Sequence, residues 1–384
     1  MSPRKHCLKV SRYNGALDRR SCFMATGFAQ KTKGLGYLLA YLTPALLPIS
    51  YGLGHALGGL DAWAWFPIAF LFVLLPLADH LLGRDRSNPD ESEVAGLEQQ
   101  PYYRWLTLAC LPLYLALMVW SCAVFAGPEL GVIGKLGWLI SQGVIGGVLA
   151  INVGHELIHK ANRFEQWAGG ALLASVSYGG FKIEHVRGHH VHVSTPMDAS
   201  SARFGQDVYR FVWRGIPRNV RAAFALEAER LRRLGLSPWH WRNELWYWYG
   251  LSLSFALLLT WAFGLSGTLF FVAQSVWAFV SLEIINYIEH YGLERARLAD
   301  GRYERTTHLH SWNSNFLLTN WMLFQLQRHS DHHANARRRY QALRHFDDSP
   351  QLPSGYAGMF LLALVPPLWF KVMNHRVPGR SPQG

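Results

Sequence analysis

Six windows of about 20 residues carry almost no ionisable side chain, and each is long enough to cross a hydrocarbon core of roughly 30 Å as a helix. They are Tyr37–Leu57, Ala62–Leu82, Trp105–Ala126, Leu130–Ile151, Leu245–Gly264 and Gly267–Ile288. A large soluble protein can bury one or two such helices. Six in one chain, several bordered by Trp63, Trp65, Trp105, Trp246 and Trp248, read instead as membrane spans with interfacial aromatics. Lipid leaves no water to satisfy backbone polar groups, so the expected fold is an all-α integral membrane protein with six transmembrane helices.

The placement of charge supports this reading. The formal net charge is +12, yet only 16% of residues are charged and half are hydrophobic. The connections at 58–61, 127–129 and 264–268 are short, and of the 37 Lys and Arg only Lys135 lies near them. All other basic residues share the opposite face, which the positive-inside rule makes cytoplasmic, together with both termini. The basicity is therefore topogenic, and no nucleic-acid partner is expected. The reading gives a multi-pass membrane protein, with a basic, disordered leader at 1–35, one membrane domain at 36–376 and a tail at 377–384. The leader lacks the apolar stretch of a signal peptide before Met24, so either Met1 or Met24 could start translation. The apolar stretch 356–370 contains Pro366 and Pro367, is short for a span, and reads as interfacial or buried.

Histidine carries the chemistry. Of 18 histidines, nine gather in four groups at the cytoplasmic ends of spans or in cytoplasmic loops: His155 and His159; His185, His189 and His190; His290; and His329, His332 and His333. Spacings of three and four residues place imidazoles on one helix face, where they can grip a shared ion. Nine are too many for one ion, since an octahedral site takes six, and they suit two adjacent metals. Imidazole alone does not select among iron, zinc, copper and nickel. His155–His159 also matches the H-E-x-x-H pattern of a zinc metalloprotease, but a catalytic zinc needs three protein ligands and would leave most of the clustered histidines without a role. A transporter would hold its metal near the bilayer midplane, away from these positions.

Residues 155–160, 184–190, 286–293 and 326–333 read HELIHK, EHVRGHH, NYIEHYGL and LQRHSDHH. In that order they resemble the motifs of the bacterial membrane alkane 1-monooxygenases: H-E-L-x-H-K, E-H-x-x-G-H-H, N-Y-x-E-H-Y-G-L and L-x-R-H-x-D-H-H. The similarity extends to Thr195-Pro196-Met197-Asp198, to residues 300–304 and to residues 310–315, and runs from about residue 36 to 376. The resemblance implies a cytoplasmic non-haem di-iron site with His155, His159, His185, His189, His190, His290, His329, His332 and His333 as ligands. It further implies terminal hydroxylation of n-alkanes, drawn from the bilayer, with O2 as co-substrate. Electrons would come from rubredoxin, recharged by an NAD(P)H-dependent rubredoxin reductase. Xylene-type side-chain monooxygenases and fatty acyl hydroxylases or desaturases of the same superfamily are the alternatives. Acyl desaturases usually carry H-x-x-H-H in the second box, whereas three residues separate His185 from His189 here.

The chain has no G-x-G-x-x-G fingerprint for NAD or flavin, and its four cysteines are scattered, so an electron donor must come from outside. Glu156, Glu184, Glu289 and Asp331 adjoin the histidines and are expected to orient them from behind, with direct ligation by one of them as the alternative; Asn152, Asn286 and Asn313 are further candidates for the orienting service. Arg337, Arg338, Arg339 and Arg344 form a candidate docking patch for an acidic donor. Leu71 lies eight residues before Asp79, roughly 12 Å along a helix, and is the candidate wall of a substrate channel.

Overall fold

The computed structural model describes residues 32–379. These form helices and loops, with three isolated bridges and no β-strand among the described residues. Four helices are long and apolar enough to cross a membrane: Leu60–Leu82, Pro101–Ala126, Val132–Ile158 and Leu265–His290. The other two apolar windows are also helical. Tyr37–Tyr41 is a 3-10 turn leading into Leu42–Leu57, and Glu244–Phe263 is one unbroken helix capped by Asn243, whose side chain accepts from the Leu245 amide.

Two of the short connections meet at one end of the bundle. Asp61 accepts from the Gly131 amide at 2.8 Å, and Glu129 accepts from Tyr51 at 2.8 Å. The Val132–Ile145 stretch packs along Leu265–His290, and both helices carry a clustered histidine at the C-terminal end. These two helices therefore run parallel and deliver His155 and His290 to the same end. Gly143 and Gly147 allow the approach: a Cβ on Gly143 would stand 2.3 Å from Trp277 Cβ.

The segments beyond the spans close over that end. Arg163–Ala174 packs against residues 152–158 through Gly154 and Gly169; a Cβ on Gly169 would stand 2.8 Å from the Gly154 carbonyl oxygen. Asp79, at the end of the second window, accepts from the Leu318 and Thr319 amides and caps the Leu317–Met322 helix. Arg328 is buried and donates to the carbonyls of Leu343, Asp85 and Ser87, which ties the 84–101 loop to the last histidine helix, His329–Ala334. The 356–370 stretch forms Tyr356–Ala363 and Pro366–Met373, packed by Met359, Ala363, Trp369 and Met373 against Tyr287 and Tyr291.

Most of the expected leader lies outside the described residues. Its last residues belong to the folded domain: residues 32–36 are helical, Lys33 pairs with Asp85 at 2.6 Å, and the Gly34 carbonyl accepts from Tyr102. Val377, assigned from the sequence to the tail, is buried against Gly292.

Candidate metal centre

The nine histidines converge in two sets. His155, His159, His185, His190 and His332 form one, His189, His290, His329 and His333 the other, and within each set the ligand nitrogens lie within 4.8 Å of one another. Three segments that are distant in sequence contribute to each set, and four to the two sets together. The adjacent residues His189 and His190 are split between the sets, as are His332 and His333, because neighbours on a helix point about 100° apart.

The spacing of His185 and His190 depends on local backbone. Residues His185–His189 form a π-helical turn, in which i→i+5 bonds bring residue i+5 back over residue i. His190 Nε2 accordingly lies 3.0 Å from His185 Nε2. The extra residue relative to H-x-x-H-H is absorbed in this wider turn. Two more π-helical stretches, Phe70–Leu74 and Gly146–Ile151, lie on the helices that carry Leu71 and His155.

The donor set fits metal ions. Two nitrogens bound at right angles to one ion at ~2.1 Å stand about 3.0 Å apart. His189 and His333 have Nε2 atoms 3.2 Å apart, His333 and His329 2.9 Å, His329 and His290 3.2 Å, and His332 and His190 3.2 Å. His155 Nε2 and His159 Nε2 are buried without a hydrogen-bond partner. Burying such an atom unsatisfied costs roughly 1–3 kcal/mol, and converging lone pairs are what a cation satisfies. Burial, reinforced by neighbouring imidazoles, holds His185, His190, His329, His332 and His333 well below the usual histidine range, in the neutral form that binds metal. His189 differs. Burial opposes its protonation, but Asp198, 2.9 Å from Nδ1, together with Glu184 and Glu289, raises it above the usual histidine range.

The carboxylates divide. Glu289 is buried, with Oε2 3.2 Å from His329 Nε2. Burial pushes the Glu184 carboxyl up to about 8, and its Oε2 has no hydrogen-bond partner. Glu156 and Asp331 turn away from the histidines. Glu156 pairs with Lys160 at 2.7 Å and accepts from the Tyr340 amide, while Asp331 takes Arg338 at 2.8 Å and the Arg344 amide at 2.9 Å. Glu156 is thus engaged by a buried lysine and is not aimed as the base of a zinc protease. Asn152 and Asn286 line the cavity beside the histidines, and Asn313 accepts from Ser330. The sequence reasoning missed the role of Asp198 and Tyr356. Asp198 lay within the quoted T-P-M-D stretch, but no spacing rule links it to His189 nine residues earlier.

The arginine patch expected after the last histidines is largely spent inside the protein. Arg338 pairs with Asp331, Arg339 pairs with Glu165 at 2.8 Å, and Arg344 pairs with Glu91, leaving Arg337 exposed.

An apolar cavity reaches the centre. Leu71, Phe72 and Leu75 line it from one helix, Val144 and Val148 from another, and Leu282 and Ile285 from a third. At its polar end it touches His155 and His185 of the first set and His329 of the second, with Glu289 and Tyr356 alongside.

Comparison with known proteins agrees with this architecture. Residues 131–363 match the fatty acid desaturase family. Alkane 1-monooxygenase 2 of Pseudomonas aeruginosa is 54% identical over 92% of this chain and 94% of its own length. Alkane 1-monooxygenase 2 of Alcanivorax borkumensis is 51% identical over 90% of this chain and 91% of its own. The hydroxylase component of a Pseudomonas putida xylene/toluene monooxygenase is 31% identical over 87% of this chain and 86% of its own. A histidine-rich membrane protein with this motif order and these relatives belongs to the alkane 1-monooxygenase family, within the fatty acid desaturase family.

Proposed function

We propose that the protein hydroxylates the terminal carbon of n-alkanes, converting R–CH3, O2, two electrons and two protons into a 1-alkanol and water. The nine histidines hold two non-haem irons, and reduced rubredoxin supplies the electrons, with an NAD(P)H-dependent rubredoxin reductase behind it. The observation that carries this reading is the apolar cavity that abuts both histidine sets. The higher identity to alkane 1-monooxygenases than to the xylene/toluene enzyme supports an alkane over an aryl methyl group.

Bound iron supplies the activation of O2 needed to break a primary C–H bond. The chain supplies position and environment. Leu71, Phe72, Leu75 and Ile285 exclude water and admit a narrow alkyl chain end-on, so the terminal carbon arrives first although internal C–H bonds are weaker. Neutral, buried imidazoles hold the metal pair, and Asp198 fixes the orientation of the His189 ring.

The same reading sets six spans in a bacterial inner membrane, with termini and centre cytoplasmic. Its support is the helical state of all six windows, the contact between the Gly58–Asp61 and 127–131 connections, and the basic residues gathered at the histidine end. The test is purified protein supplied with rubredoxin, reductase, NADH and octane. About two irons per chain and 1-octanol are expected. An internal alcohol, an alkene, or turnover with stoichiometric zinc and no iron would overturn the proposal.

A further inference from the structure

A second, polar cleft shares no lining residue with the alkane cavity. It is lined by Arg203, Arg210, Arg214 and Arg218, and Asp198 forms part of its wall. Arg210, Arg214 and Arg218 recur every four residues along Val208–Arg233 and so share one face of that helix. The buried face of the same helix carries Phe211, Gly215 and Asn219, and Asn219 donates to Glu283 at 3.0 Å. A third face exposes Tyr209, Trp213 and Val220, the aromatic stripe suited to a lipid interface.

The four arginines are exposed, and none of their guanidinium groups has a hydrogen bond or ion pair among the described residues. Several cations elsewhere are neutralised: Arg187, Arg230, Arg328, Arg338 and Arg339 each face a carboxylate. Of the acids in the cleft, Asp198 serves His189, Ser200 and Ser201, and Asp207 caps the helix by accepting from the Arg210 amide. Glu294 is the third. The positive field is therefore left for a partner.

We infer that this arginine cleft is the docking surface for the acidic one-electron donor protein that reduces the centre. The inference rests on the monooxygenase reading, which needs two outside electrons per turnover, delivered here by two reduced donors in succession. Asp198 links the cleft to the four-histidine set through its 2.9 Å contact with His189 Nδ1, so a donor seated there has a hydrogen-bonded route inward. An anionic lipid headgroup would match the charge equally but supplies no electron, and the aromatic stripe that suits lipid lies on a different face.

The experiment measures rubredoxin binding to the protein in discs of neutral phosphatidylcholine, with rubredoxin-driven octane hydroxylation read in parallel. Reversing Arg203, Arg210, Arg214 and Arg218 to Glu should weaken binding at low salt by about ten-fold or more, and raise the half-saturating donor concentration alongside. High salt should shrink the difference. The same four positions changed to Gln should give a smaller loss, and Arg337→Glu should leave binding as it was. Unchanged binding in the fourfold Glu variant, an equal loss from Arg337→Glu, or an effect present only in discs of anionic phosphatidylglycerol would overturn the inference. Rubredoxin that binds the unmodified chain through these arginines without yielding 1-octanol would leave the docking surface standing and refute the proposed reaction instead.

Discussion

Tyr356 donates its phenolic hydrogen to Glu289 Oε1 across 2.7 Å, while Oε2 of the same carboxylate stands 3.2 Å from His329 Nε2. Both residues line the apolar cavity where it meets the histidines. The Tyr356 hydroxyl is held well above the usual tyrosine range, by burial first and by the adjacent Glu289, so it remains a donor. Tyr356→Phe removes the phenolic donor to Glu289. Turnover is expected to fall roughly 10–100-fold with iron content retained, as for other groups that orient ligands from behind. Parallel iron analysis and 1-octanol quantification check this, and an unaltered rate would separate Tyr356 from the reaction.

The neighbours His332 and His333 serve different sets. His332→Ala and His333→Ala should both abolish turnover, yet each should strip iron mainly from one site. Iron near one per chain in each variant, with distinguishable Mössbauer spectra, is the expected result. Loss of all metal in both would mean that the two sets bind cooperatively rather than as separable sites.

Gly154 and Gly169 bring the Arg163–Ala174 helix against the helix that presents His155. Gly169→Leu forces a side chain into the space of the Gly154 carbonyl and should lower thermal stability by 1–3 kcal/mol, about the typical cost of overpacking, with iron lost from the five-histidine set. Gly52→Ala meets nothing within 4 Å and serves as the comparison. Equal melting temperatures and iron contents in the two variants would rule out this contact as a support of the centre.

Leu71 lies on the cavity wall and is 5% exposed. Each additional buried CH2 contributes only about 0.8 kcal/mol, so affinity rises smoothly with chain length and a sharp upper limit requires a steric stop. Leu71→Trp should shorten the accepted alkane range and Leu71→Ala should lengthen it, with the 1-alkanol still formed. The product profile from hexane to hexadecane decides this; parent-like profiles in both variants would move the stop to another residue, such as Val144 or Phe360.

Periodicity and spacing along the chain determine a good part of this protein. A run of about 20 residues without charge can satisfy its backbone only as a helix in lipid, so the helical windows were legible directly. Four motifs with paired or tripled histidines marked the metal-binding segments, because ligand chemistry depends on residue type and on short intervals that secondary structure preserves. Which histidines share a set was not legible. His189 and His190 part company through a π-helical turn, and His332 and His333 through side-chain direction on a short helix, both of which depend on packing. The acids show the same limit. Glu156 and Asp331 adjoin histidines in sequence, yet Lys160 and Arg338 claim them, while Asp198 reaches His189 from nine residues on and Tyr356 reaches Glu289 from far along the chain. The arginines are the clearest case: of the four that look free after His333, three are neutralised by Glu91, Asp331 and Glu165, while Arg210, Arg214 and Arg218 stay unpaired on another helix. A charge is free or spent according to what the tertiary fold sets beside it, and that pairing spans separations no local pattern encodes.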